Sequence, residues 1–113
     1  MSKRNITVEA LGLNWTVYLQ SSDAYKKKHG SDSDAITYPA DLEVFFNKSS
    51  FTPDVVRHEV LHMFVASSNS GSSGLSADQM EELCAELYGQ HGPKMDLVTD
   101  QIISFFSRKH VLK

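Results

Sequence analysis

Two histidines and a glutamate stand at His58-Glu59-Val60-Leu61-His62. On a helix, residues four apart lie about 40° from one another, so both imidazoles leave the same face and their ring nitrogens converge. That spacing fits two corners of a tetrahedral zinc site. Glu59, next in the chain to His58, is placed to reach a water at an open corner. Zinc brings the pKa of such a water from about 15.7 to near 7, and a neighbouring carboxylate can take the proton. The pattern therefore describes a hydrolytic chemistry, with His58 and His62 as ligands, Glu59 as general base and Zn²⁺ as cofactor.

Such a site needs a third ligand. The six-residue extension that carries a third histidine is excluded, because Ser68 occupies that place and Val65 stands where its glycine belongs. Downstream, Glu81, Glu82 and Glu86 are available. Glu82 and Glu86 share one helix face, and Glu81 points about 100° away. Ala85 beside them is small enough to allow a close helix approach. Glu82 is the favoured ligand, with Glu86 as an alternative ligand or as a carboxylate that orients a histidine through its second N–H. Glu81 and His91 are the other options. Against this stands the reading of solvated glutamates, since Met80, Leu83 and Leu87 form the opposite, apolar stripe.

The surrounding elements must hold these groups. Ile6, Val8 and Ala10 alternate with polar neighbours, as do Trp15, Val17 and Leu19, which marks two half-buried strands with turn chemistry at Gly12 and Asn14. Ser22 can cap a short helix that passes through Lys26, Lys27 and Lys28 and stops at Gly30. Leu42, Val44 and Phe46 give a further strand, and Ile36 to Tyr38 a short one before Pro39. Thr52-Pro53-Asp54 is a helix start, and that helix runs from Pro53 to about Ala66 with the histidine motif inside it. A Ser/Gly segment from Ser67 to Gly74 has the composition of a mobile loop or a lid. Ser76 and Gln79 resemble a capping box for a helix expected to end near Gly92-Pro93. Met95, Val98, Ile102, Phe105 and Phe106 then fall at helical spacing and predict a last, amphipathic helix. Strands followed by helices indicate an α+β domain: a short N-terminal mixed or antiparallel sheet packed on the motif helix, followed by two further helices.

Composition narrows the class. The chain has 113 residues, 41% of them hydrophobic, and a formal charge of −3, which suits one domain spanning residues 1–113. A mildly acidic balance argues against nucleic acid as the partner. No apolar run reaches the roughly 18–20 residues of a membrane span, and no apolar stretch follows the basic start, so a cytoplasmic location is expected. The single cysteine, Cys84, excludes an internal disulfide and a thiolate cage, and it reads as a small buried hydrophobe. Asp32 and Asp34 lack a calcium-loop pattern and read as a solvated turn.

Taken together, His58-Glu59-x-x-His62 and Glu82-x-x-Ala85-Glu86-x-Tyr88 resemble the gluzincin type of zincin metallopeptidase. The similarity is to the minimal domain of ImmA/IrrE-like metallopeptidases and their small phage-encoded relatives, and it covers about Leu42 to Gly92. Those proteins carry Glu-x-x-Ala-Asn/Asp-x-Phe on the second helix; Glu86 and Tyr88 depart from that pattern. The resemblance implies zinc-dependent hydrolysis of a peptide bond, with a protein or peptide as substrate. It also implies a sheet edge that takes up extended substrate by strand addition, a role for which the Leu42–Phe46 strand is the candidate. Tyr38, Tyr88 and His91 are the candidates for stabilising the oxyanion. The alternative is a non-catalytic, zinc-stabilised binding protein of a phage or mobile element that engages a host or regulatory protein. A third reading is a subunit whose substrate recognition comes from another chain.

Overall fold

The structure, a computed structural model, describes residues 5–68 and 76–111, with side chains up to Ser107. Most of the Ser/Gly segment, residues 69–74, therefore lies outside the described residues, and so does the mobile loop or lid expected there. The fold is α+β: strands β1 (Asn5–Ala10) and β2 (Leu13–Gln20), helix α1 (Ser22–His29), strands β3 (Ala35–Tyr38) and β4 (Glu43–Asn47), then helices α2 (Pro53–Ser68) and α3 (Ala77–Val111). No described helix is long and apolar enough to cross a membrane.

β1 and β2 form a hairpin whose turn is Leu11-Gly12, both at positive φ (51° and 88°). Two such residues give the twist that a tight hairpin needs, and glycine takes that geometry without steric cost. Asn14 already belongs to β2, opposite Glu9. α1 is capped by Ser21, one residue before the expected Ser22, through its side chain and the backbone N–H of Ala24. It ends at Gly30 in the left-handed region, with lysines in the last turn.

The sheet is mixed, in the order β1-β2-β4-β3. β2 and β4 run parallel, whereas β3 is antiparallel to β4. This corrects one expectation: the Leu42–Phe46 strand is interior, hydrogen-bonded on both sides, and cannot accept an added strand. The edge beside α2 is β3.

Alternation sorts the side chains onto two faces. Val8, Trp15, Val17, Val44 and Phe46 form one buried face and join Val60, Met63 and Phe64 of α2 and Val98, Ile102 and Phe106 of α3 in a single core. On the other face, Tyr18 stacks on Phe45 with ring centroids 4.5 Å apart, and α1 lays Tyr25 and His29 over the same region. Asn47, fully buried at the end of β4, donates to Asp32 Oδ1 and the Ser33 carbonyl and accepts from the Ser49 N–H and hydroxyl. That knot fixes the path from the sheet into α2, whose first turn is capped by the Thr52 hydroxyl.

The second correction concerns the C-terminal helices, since α3 is one helix that passes through Gly92-Pro93. Proline at position 93 removes the backbone bond to the Gly89 carbonyl, a cost of about 3 kcal/mol in a helix interior. Continuity wins because burial continues on both sides of the proline: Leu87 is buried before it, and Met95, Val98, Ile102 and Phe106 after it join the core of α2 and the sheet. Breaking the helix at Pro93 would take part of that buried set out of register.

Candidate metal centre

α2 brings the motif together as its spacing requires. The Nε2 atoms of His58 and His62 lie 3.1 Å apart, with ring centroids 4.7 Å apart and planes at 79°. Both imidazoles are exposed, but Glu59 is turned toward the sheet and keeps 7% of its surface accessible. The donor atoms of His58, Glu59 and His62 all fall within 4.8 Å of one another, so this group can hold a metal ion. Two imidazole nitrogens bound tetrahedrally at about 2.05 Å would be about 3.3 Å apart. The observed separation therefore fits a shared cation.

Burial of a carboxylate requires a partner. Thr37 of β3 supplies it, donating its hydroxyl to Glu59 Oε1 at 2.5 Å. One face of Thr37 thus meets the motif helix, while Ile36 and Tyr38 turn to the other face of the sheet. The group opens into a cavity of about 590 Å³ bordered by β3 (Ala35, Thr37), by α2, and by Met80 and Cys84 of α3. Cys84 is half-buried at this border and not a core residue. The C-terminal end of α2 is tied to the sheet by the Trp15 indole N–H, which donates to Ser67 Oγ at 2.9 Å.

The other expected residues are placed differently. Glu81, Glu82 and Glu86 are all exposed, and all three stand outside the His58, Glu59, His62 group. Glu82 is two residues from both Met80 and Cys84, hence about 160° around α3 from the residues that border the cavity. Glu81 lies about 60° from Cys84 and about 100° from Met80, the smallest offsets of the three, and does not itself border the cavity. Its direction was legible in the apolar stripe through Met80 and Leu87, which already set Glu82 on the far side.

Among the oxyanion candidates, Tyr38 lies on the opposite face of the sheet, 2.7 Å from His29 Nδ1. His91 sits with its ring 6.5 Å from that of Phe64. Tyr88 is 55% exposed and lies on the far side of His58 from Glu59, in a groove between α2 and α3. None of the three borders the metal cavity.

Sequence reasoning missed Thr37. A strand threonine before Tyr38-Pro39 carries no motif, and only the β3–β4 register, Thr37 opposite Val44, shows that it faces α2.

Comparison with protein-family models, curated proteins and solved structures finds no match to this chain.

Proposed function

We propose that this chain is a zinc-dependent peptidase whose metal is held by His58 and His62. The observation that carries the reading is the convergence of the two Nε2 atoms, 3.1 Å apart, beside a buried carboxylate in one cavity. Zinc held by His58 and His62 would supply Lewis acidity, which would acidify a water and polarise a substrate carbonyl. Glu59 takes the proton of the attacking water and delivers it to the leaving amine. Thr37 holds one carboxylate oxygen of Glu59, which leaves the other free to accept that proton. On α3, Glu81 is the carboxylate best directed to complete the ligand set.

A peptide substrate is supported by β3. Its partner on one side is β4, and the opposite edge borders the cavity. An extended chain paired along that edge would carry its carbonyl past His58 and His62, through backbone bonds that tolerate many side chains.

Metal analysis combined with Glu59→Gln tests the proposal. The wild type should bind about one equivalent of zinc and release new amino termini from an unfolded protein substrate. The variant should keep the metal and lose turnover by about 10²–10⁴-fold, the usual worth of a general base. A wild type that binds no zinc, or a variant with undiminished turnover, would refute it.

A further inference from the structure

α3 borders the metal cavity with two residues, Met80 and Cys84. They are four apart, so they share one face of α3, as His58 and His62 share one face of α2. Both carry sulfur, and both are half-buried. Neither belongs to the core cluster, whereas Leu87 one turn further on is buried. Cys84 forms no disulfide and, among the described residues, no hydrogen bond. Its thiol therefore has a place on the cavity wall and no structural partner there.

His58, Leu61 and Cys84 also border the separate groove between α2 and α3. Residues common to two cavities form the wall between them, which sets Cys84 at the same wall as His58. Its sulfur stands outside the His58, Glu59, His62 group of donors. A single torsion, χ1, places a cysteine sulfur, and its staggered wells turn the thiol toward or away from the cavity. The paired imidazoles mark this cavity as a metal site independently of the cysteine. Glu81, the best directed carboxylate of α3, does not border it.

We propose that Cys84, as a thiolate, is the third ligand of the metal centre, so that two imidazoles and one sulfur hold the ion. The inference rests on the metal site of the peptidase reading, and gives Cys84 the ligand position for which Glu81 is the best directed carboxylate. A thiolate carries the same single negative charge as a carboxylate. It therefore leaves the net charge of the centre unchanged and a fourth position open. The thiol proton passes to solvent as the metal binds. Sulfur also sets the class of ion, since thiolates favour zinc and other soft ions over magnesium or manganese, which prefer oxygen. Met80, a neutral thioether, is a far weaker donor and serves as the wall beside Cys84.

Cobalt(II), which enters zinc sites and reports their ligands by its spectrum, provides the test on the full chain. The wild type with one equivalent bound should show an intense near-ultraviolet band from sulfur-to-cobalt charge transfer. Cys84→Ser should lose that band, while Met80→Leu and Glu81→Gln keep it. Zinc affinity, read by chelator competition, should fall further in Cys84→Ala than in Glu81→Ala. The fall should also exceed the roughly 10–100-fold that loss of an outer hydrogen-bonding partner costs. A wild type that binds cobalt without the band, or a larger loss in Glu81→Ala, overturns the thiolate ligand and leaves the peptidase reading with a carboxylate in its place. A wild type that binds neither cobalt nor zinc overturns both. The wild-type spectrum decides the matter even if a variant fails to fold.

Discussion

Thr37 Oγ1 donates to Glu59 Oε1 across 2.5 Å, so an edge strand and the motif helix are joined through the one buried carboxylate of the site. The hydroxyl satisfies an oxygen that burial would otherwise leave without a donor. The same contact ties the orientation of Glu59, the proposed general base, to the position of the edge along which substrate is proposed to pair.

Thr37→Val removes the donor while keeping the shape. A charge-assisted bond to a buried carboxylate is worth about 1.5–3 kcal/mol, and loss of stability of that order is expected in urea unfolding. Turnover should fall by about tenfold or more with little change in KM, because the base is misplaced and not absent. Thr37→Ser, which restores a hydroxyl, should recover both. Equal behaviour of the valine and serine variants would show that the contact has no part in either property.

His58→Ala and His62→Ala should each abolish stoichiometric zinc binding, as read by metal analysis after dialysis. A chelator should lower the unfolding temperature of the wild type but not of these variants, since a ligand bound only by the folded state stabilises it. Glu81→Ala should weaken zinc binding more than Glu82→Ala, given the directions of the two side chains on α3. The reverse order would return the ligand role to Glu82 and require α3 to rotate when metal binds.

His29 should make stability pH-dependent. Its Nε2 lies 3.1 Å from Gln20 Oε1, an acceptor, so Nε2 carries the proton and Nδ1 accepts the Tyr38 hydroxyl. Burial, and then the neighbouring Lys28 charge, lower its pKa from the ordinary 6.5. The unfolded chain therefore takes up this proton first as pH falls. The contribution is complete above about pH 6.5 and declines as pH drops through that value toward the lowered folded pKa. Urea midpoints measured from pH 8 to pH 5 should show the decline, and His29→Gln should flatten it. A slope unchanged in that variant would assign the dependence to other groups.

Pro93→Ala should stabilise the protein by about 1 kcal/mol or more, because it restores a backbone donor facing the Gly89 carbonyl in the middle of α3. Urea unfolding of the two proteins measures this directly. A destabilised variant would mean that the proline sets a bend that the core requires.

The local features were legible because their causes are local. Period-two alternation gave β1, β2 and β4. The Thr52-Pro53-Asp54 start gave α2, and the four-residue spacing gave the paired imidazoles, all without knowledge of any contact. Where two local signals competed, the sequence misled: Gly92-Pro93 is a stop by propensity, yet burial continues on both sides of it, at Leu87 before and from Met95 to Phe106 after. Tertiary burial decides such a conflict, and no window of sequence contains it.

Strand order and helix rotation lie on the tertiary side as well. The chain alone specifies His58, Glu59 and His62 as one group, because a helix fixes their relation. Which strand is the edge, that Thr37 holds Glu59, and that α3 turns Cys84 and Met80 to the cavity while Glu82 faces away depend on how elements far apart in the chain dock. Those relations are set by the shared core of sheet, α2 and α3, whose buried area outweighs the preference of any single residue.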